Sequence, residues 1–150
     1  MTRAYAGTLL AERIAATLPD AVVGSDEAQV YLKSDQVLDV CRFLHDDKDL
    51  GFDFLAQLTA VDYVDYFEVV YRLVSIEHNH QAVLKTRTFD RDEPSVPSVY
   101  SVWKGADFQE REVYDLMGVR FEGHPNLKRI MLWDGFEGHP LRKDFLLQRP

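Results

Sequence analysis

The sequence predicts a domain of mixed helices and strands over residues 1–118, followed by an arm over residues 119–150 with little regular secondary structure. Apolar residues recur at helical spacing near both ends of the first segment. Between those ends the apolar residues are aromatic or β-branched, or alternate with polar ones, as strands prefer. After Gly118, glycine and proline interrupt every potential element. The length of 150 residues suits one compact domain.

The first 45 residues predict two helices with short strands between them. Residues 5–18 have a helical pattern, and Ala21 to Val23 and Ala28 to Leu32 are strand candidates. Ser34 can cap a second helix that runs from Asp35 to about His45. The apolar faces of the two helices consist of Leu9, Leu10, Ile14 and Leu18, and of Val37, Leu38, Cys41 and Leu44.

The middle of the chain predicts strands. Phe54 to Tyr63 is apolar and fits either a buried strand or a turn of helix. Tyr66 to Ile76 is rich in aromatic and branched residues, and Gln81 to Phe89 alternates. The four residues 77–80 make these last two segments a hairpin. Two histidines, at 78 and 80, are therefore expected in a solvated loop.

A third helix is predicted over residues 108–117. Asp107 is placed to act as its N-cap, and Glu110 follows three residues later, as in a capping box. Arg111 and Asp115 are i, i+4 partners on the same helix. The glycine that follows the helix suits the left-handed position at which helices end.

The arm differs in kind from the rest of the chain. It holds six Lys or Arg and four acids, which gives it a charge of +2 and leaves −10 for residues 1–118. A segment this long without periodicity is unusual in a compact domain, yet its large apolar side chains argue against disorder. We therefore expect it to lie against the body or against a partner. Those side chains are Phe121, Leu127, Ile130, Met131, Leu132, Trp133, Phe136, Leu141 and Phe145.

Composition excludes several classes of function. The net charge of −8 disfavours non-specific nucleic-acid binding, and no apolar run is long enough to span a bilayer. The chain has one cysteine, Cys41, whereas an iron–sulfur cluster needs about four ligands, so Cys41 is expected to be a buried hydrophobe. No glycine-rich nucleotide motif follows a strand, and neither Ser101 nor Cys41 has a base beside it. No catalytic, cofactor-binding or metal-binding residues are therefore predicted.

Three clusters allow more than one interpretation. Glu110, Arg111 and Glu112 resemble acid–base groups, but acids at a helix start are favoured by its dipole. Arg129, Arg142 and Lys143 fit an anionic ligand, but pairing with acids of the body or of a neighbour is the preferred interpretation. A zinc or iron site is a third possibility, although its spacing matches no standard pattern. Its candidate ligands are His124, His139, Asp134, Glu137 and Asp144.

Residues 110–130 resemble the signature of a known family, the 30 kDa subunit of respiratory complex I. The match is long and gapless, and the segment from Gly138 to Phe145 is similar to the same family. The residues that carry the resemblance are Glu110, Arg111, Glu112, Asp115, Gly118, Phe121, His124, Pro125, Leu127, Arg129, His139, Pro140, Arg142, Lys143 and Asp144.

The resemblance implies an α+β fold, with helices against a mixed β-sheet and an extended C-terminal arm. It implies a non-redox structural subunit in the hydrophilic arm of a proton-translocating NADH:quinone oxidoreductase, peripheral on the cytoplasmic side of the cell inner membrane. The expected partners are the 49 kDa subunit that lines the quinone cavity and neighbouring cluster-bearing subunits. The complex would use NADH, FMN, iron–sulfur clusters and a quinone, none of them bound by this chain.

Other assignments stay open at this point. The chain stops soon after Phe145, where many relatives continue, so contacts made by a longer tail are expected to be absent or replaced. Family members also occur in ferredoxin-, deazaflavin- and hydrogenase-linked membrane complexes, so the electron donor is not fixed. Two rivals from other classes are a stand-alone metal-dependent hydrolase built on the two Gly-His-Pro turns and a free binding module with several partners.

Overall fold

A computed structural model describes residues 1–146 and has the expected α+β fold, in which helices pack against a mixed sheet. The last four residues of the predicted arm, 147–150, lie outside the described part. In chain order the elements are β1 (Arg3–Ala4), α1 (Gly7–Thr17), β2 (Val22–Ser25), β3 (Val30–Leu32), α2 (Val37–Asp46), β4 (Phe54–Asp62), β5 (Phe67–Ser75), β6 (His80–Thr88), β7 (Ser95–Pro97), α3 (Ala106–Met117) and β8 (Arg120–Glu122).

The main sheet has six strands and both kinds of pairing. Its order is β2-β3-β6-β5-β4, and β1 pairs with the first residues of β6. The pairs β4–β5, β5–β6 and β2–β3 are antiparallel, whereas β3 and β1 each run parallel to β6. The hairpin between β5 and β6 is the predicted one, and its loop is residues 76–79. His80 therefore begins a strand, and its Nε2 lies 2.8 Å from the Leu50 carbonyl oxygen.

The hydrophobic core is formed by the main sheet together with one buried side of each helix. Alternate residues of β5 and β6 point into it, as the period of two in a strand requires. The helices contribute one buried stripe each, and Cys41 is buried within the stripe of α2. Core residues with no exposed surface include Ile14, Val40, Leu44, Phe52, Phe67, Tyr71, Leu73 and Leu84.

A second, two-stranded sheet joins the end of α3 to the body. β8 runs parallel to β7, with Phe121 opposite Val96, and both side chains are buried. Val119 is also fully buried. The first residues after α3 therefore pack as part of the body, although their pattern predicted no element.

Several local predictions differ from the structure. Ser34 does not cap a helix: residues 34–36 form a turn of 3₁₀-helix without a side-chain cap, and α2 begins at Val37. Residues 54–62 are a strand, which resolves the alternative left open for that segment. β1 and β7 had no sequence signal, because two or three residues are too few to show a period.

Helix α3 lies along the free edge of the sheet, beside β4. The Gln109 side-chain oxygen accepts a hydrogen bond of 2.7 Å from the Leu58 backbone N–H, which no neighbouring strand would otherwise use. This bond covers an exposed strand edge and fixes α3 against the sheet. No helix among residues 1–146 is long and apolar enough to cross a membrane.

Candidate functional site: the seat of the arm on helix α3

The arm contacts the C-terminal end of α3 at a site that we call the seat, which consists of Asp115, Gly118, Arg129 and His139. Gly118 ends the helix in the left-handed conformation, with φ of 77°, as predicted. A Cβ on Gly118 would lie 2.7 Å from Cδ2 of the His139 ring, so this position needs glycine for space as well as for conformation. His139 in turn places its Nδ1 2.8 Å from the Asp115 carbonyl oxygen.

Asp115 is the centre of this seat. Its side chain has no exposed surface, and Oδ1 accepts a 2.7 Å bond from Arg129 Nη1. Oδ2 accepts backbone N–H bonds from the three consecutive arm residues Ile130, Met131 and Leu132, at 3.1, 2.7 and 2.9 Å. Burial opposes ionisation, but Arg129 and the three N–H donors hold the pKa of Asp115 below its ordinary value.

Arg129 connects the seat to residues further along the arm. Its Nη2 donates to the backbone carbonyls of Phe136 and Gly138, at 2.9 and 2.8 Å. Arg111 donates to the carbonyls of Lys128 and Arg129. The predicted i, i+4 pair of Arg111 with Asp115 is therefore wrong: both side chains reach the arm, because tertiary partners offer them more hydrogen bonds than they offer each other.

The start of α3 also differs from the prediction. The N-cap is Gly105, without a side-chain bond, and Asp107 lies within the first turn. Instead, His124 Nε2 lies 3.2 Å from the Asp107 carbonyl oxygen and 3.0 Å from Oδ1. Nδ1 of the same ring accepts from the Asn126 N–H. Asp107 therefore anchors the beginning of the arm rather than the helix.

Glu110 is a buried acid and not part of a capping box. It has no exposed surface, and its Oε1 accepts bonds of 3.0 Å from Ser98 Oγ and from the Val99 N–H. Burial raises the pKa of Glu110 to about 7, and the nearby Asp107 carboxylate adds to the rise. Glu110 thus holds the chain just after β7, the strand that pairs with β8.

A second set of ion pairs fastens the end of the described arm to Asp62, the last residue of β4. Asp62 accepts two bonds from Arg91, at 2.8 and 3.0 Å, and a 2.9 Å bond from the Lys143 backbone N–H. Arg142 pairs with Asp144 at 2.8 Å, and Asp144 also lies 3.3 Å from Arg91. The hydrogen bonds from Arg91 hold the pKa of Asp62 well below its ordinary value.

The aromatic ring of Phe67 packs against both arginines of this network. The guanidinium carbons of Arg91 and Arg142 lie 4.7 and 5.0 Å from its ring centroid. Sequence reasoning missed Asp62, Arg91 and Phe67, since they are distant in sequence from the family signature. The preferred interpretation, pairing with acids of the body, agrees with the geometry for Arg129, which binds Asp115. Arg142 instead pairs with Asp144 of the arm itself and reaches the body through the Arg91 carbonyl oxygen. For Lys143 it is the backbone, not the ammonium group, that the structure places on a carboxylate.

The remaining signature residues differ in burial. Phe121 is buried and Leu127 packs partly against the core, so both hold the arm to the body. Glu112 and Pro125 are exposed. Together with Leu141, Glu112 lines a small cleft of about 210 Å³ between α3 and β4. Pro140 is partly buried next to His139.

The arm buries its polar anchors but exposes several of its large apolar side chains. The exposed fractions are 63% for Met131, 69% for Trp133 and 59% for Leu141. Trp133 packs edge-on against Phe136, with ring centroids 4.9 Å apart. The result is an apolar surface carried by a backbone that the carboxylates fix in place.

The candidate metal ligands do not converge in the described part of the chain. No group of three or more His, Cys, Asp or Glu side chains among residues 1–146 is arranged to hold a metal ion. His124 and His139 are instead directed at carbonyl oxygens near opposite ends of α3. A cleft of about 830 Å³, lined by residues of β2, β3 and β6, includes none of the predicted site residues.

Comparison with known proteins places the chain in a family. The sequence profile of the family described as "Respiratory-chain NADH dehydrogenase, 30 Kd subunit" matches residues 30–150. The chain is 46% identical over 140 residues to a subunit of the NADH-quinone oxidoreductase of Roseiflexus sp. (strain RS-1), covering 89% of this chain and 80% of the relative. It is 47% identical over 134 residues to the equivalent NADH-quinone oxidoreductase subunit of Moorella thermoacetica, covering 87% and 88%.

A solved structure is similar as well. It is a chain of the membrane-bound sulfane sulfur reductase, described as an archaeal respiratory membrane complex. The TM-score is 0.75 at 29% sequence identity, with 93% of this chain and 85% of that chain covered. The likeness therefore extends over nearly the whole fold.

The first prediction concerns Asp115. Asp115→Asn removes the charge that faces Arg129 and leaves a buried guanidinium without its counter-ion, which should cost about 3 kcal/mol or more. Urea unfolding of the free chain at neutral pH measures this loss. Asp134→Asn, an exposed arm acid, is the matched control and should change stability by less than about 0.5 kcal/mol. Equal stability of the two variants would show that Asp115 does not hold the arm.

The second prediction concerns the pH dependence of stability. Because the folded pKa of Glu110, about 7, lies above its ordinary value of 4.5, its contribution is fully present below pH 4.5 and is lost as pH rises through 7. The wild-type chain should lose about 2 kcal/mol between pH 5 and pH 8, and Glu110→Gln should lose much less. The exposed Glu112→Gln is the control and should keep the wild-type slope. A Glu110→Gln slope equal to that of the wild type would contradict the assignment.

Proposed function

Because this chain belongs to the family of the respiratory-chain NADH dehydrogenase 30 kDa subunit, we propose that it is a structural subunit of a membrane-bound NADH:quinone oxidoreductase. Its role there is structural: it contacts other subunits and holds them in position. The redox groups, which are FMN, iron–sulfur clusters, NADH and the quinone, belong to other subunits. The relatives' names support membership of such a complex.

The observation that carries the proposal is the construction of the arm. Asp115 and Asp62 bind arm backbone and thereby order it before any partner arrives. Met131, Trp133 and Leu141 remain mostly exposed. Large apolar and aromatic side chains on an ordered backbone are the composition of an interface core, where Trp and Arg contribute most of the binding free energy. Ordering in advance also lowers the entropic cost of association.

The partner we propose for this surface is the subunit that lines the quinone cavity, with cluster-bearing subunits next to it. The chain would then be a peripheral component on the cytoplasmic side of the cell inner membrane, attached through the complex. Support comes from the similarity to a chain of a respiratory membrane complex and from the exposed apolar arm.

We also propose that this chain binds no cofactor of its own. The one cysteine, Cys41, has no exposed surface, and burial raises the pKa of its thiol. A buried thiol of high pKa is a poor metal ligand, because the thiolate is the form that binds. His124 uses both ring nitrogens on neighbouring backbone groups, which supports a structural role over metal ligation.

A second assembly is favoured by one specific observation. The similar solved chain belongs to a sulfane sulfur reductase, so an equivalent subunit of a related membrane complex is an alternative for this protein. The two assignments differ in the substrates that the proteins' names give: NADH and a quinone for the relatives, and sulfane sulfur for the solved complex. NADH-dependent quinone reduction by the purified native complex supports the first assignment, and its absence supports the second.

The third prediction tests the arm as an interface. Trp133→Ala should leave the melting temperature of the free chain almost unchanged, because the indole is mostly exposed. It should reduce the fraction of chain recovered in the complex about fivefold or more, the effect of losing an interface residue worth over 1 kcal/mol. The measurement is co-purification through a tag on another subunit, with wild-type chain as competitor.

Leu9→Ala is the matched control for this experiment. Leu9 is 55% exposed on α1, so this variant also removes an exposed apolar side chain. We expect it to be incorporated like the wild type. Normal incorporation of both Trp133→Ala and Met131→Ala would refute the arm as the partner-binding surface.

A further inference from the structure

The turn between β4 and β5 contains an unusual backbone conformation. Val64, at its centre, has φ of 74°, a left-handed value that β-branched residues rarely adopt. The Asp65 N–H donates to the Tyr63 carbonyl oxygen at 2.9 Å, which closes a three-residue turn around Val64. Such a conformation costs on the order of 1–3 kcal/mol and persists only where its surroundings impose it.

Two further bonds impose this turn. The Asp62 carboxylate accepts a 2.8 Å bond from the Val64 N–H, and the Tyr63 N–H donates to the Tyr66 carbonyl oxygen at 2.9 Å. Asn or Gly would adopt the same φ at lower cost. The valine side chain gives the fold little in return, because Val64 is 55% exposed. Stability of the free chain therefore does not explain a valine at this position.

The residues around Val64 form an exposed apolar surface. We name it the tip patch, and it consists of Val61, Tyr63, Val64, Tyr66 and Phe89. Tyr63 and Tyr66 have ring centroids 5.3 Å apart, and Tyr66 and Phe89 lie 5.5 Å apart. The exposed fraction is 45% for Tyr63 and 68% for Phe89. Clustered exposed aromatic residues of this kind mark interaction sites.

One carboxylate links the tip patch to the arm. Oδ1 of Asp62 accepts the Val64 N–H, and Oδ2 accepts the Lys143 N–H of the arm. Arg91 holds both oxygens in place. The turn and the end of the described arm are thus fixed to each other through a single buried side chain. A partner that covers the arm is brought directly to the tip patch.

We propose that the tip patch is a second contact surface for the partner that binds the arm, and that Val64 and Tyr63 insert into an apolar pocket of that partner. This inference rests on the proposed function, since it takes the arm's partner as its occupant. Continuity with the arm through Asp62 argues for that occupant. The strained turn presents the valine outward, and binding recovers the free energy that the free chain loses in holding it there.

The experiment compares stability with assembly in Val64→Asn. Asn tolerates the left-handed conformation, so the melting temperature of the free full-length chain should rise by a few degrees. Incorporation into the complex, in competition with wild-type chain, should fall about fivefold or more. Val64→Gly is a second variant that relieves the same strain and should also assemble poorly. Opposite changes in stability and assembly distinguish an interface residue from a structural one.

Ile76→Asn is the matched control. Ile76 is 69% exposed and follows the other end of β5, far from Asp62 and the arm. It should be incorporated like the wild type. Normal incorporation of Val64→Asn, or a fall in its melting temperature, overturns the inference. If Trp133→Ala fails to assemble while Val64→Asn assembles normally, only the tip patch is refuted. Normal assembly of Val64→Asn, Trp133→Ala and Met131→Ala also refutes the arm interface.

Discussion

The bonds of the Asp115 carboxylate to the arm are the interaction on which the functional surface depends. One buried side chain at the end of α3 accepts three consecutive backbone N–H groups and a guanidinium. These donors satisfy a charge that would otherwise be costly to bury. Arg129 passes the constraint on to the carbonyls of Phe136 and Gly138. Residues 123–146, which follow β8 and form no helix or strand, are thereby held in one conformation.

This arrangement explains how irregular chain can serve as an interface. A regular element fixes its backbone through repeated hydrogen bonds, whereas here Asp115, Asp62 and Arg111 provide the bonds from the body. The polar anchors then face inward, whereas Met131, Trp133 and Leu141 remain mostly exposed. The same logic applies at the turn around Val64, where Asp62 imposes a conformation that an exposed valine would not otherwise adopt.

Much of the fold was predictable because it depends on local pattern. The strands 67–75 and 80–88, most of the buried face of α2 and the glycine that ends α3 follow from periodicity and φ preference. The apolar face of α1 was predicted only in part, because Leu9 is exposed. The roles of Asp107, Glu110 and Asp115 did not follow, since their spacing also fits a capping box and an i, i+4 pair. Tertiary partners decided between these alternatives: Ser98 for Glu110 and Arg129 for Asp115. The boundary at residue 118 as a division between domains stays a prediction, although β8 packs on the body.

Hydrogen exchange of the free chain tests the central claim most directly, because it reports the bonds to Asp115 without any partner. If the carboxylate orders the arm, the amides of Ile130, Met131 and Leu132 should exchange slowly, although they lie outside regular secondary structure. They should exchange faster in Asp115→Asn. Exchange at the rate of an unstructured peptide in the wild-type chain would mean that the arm is ordered only by its partner, and would contradict this account.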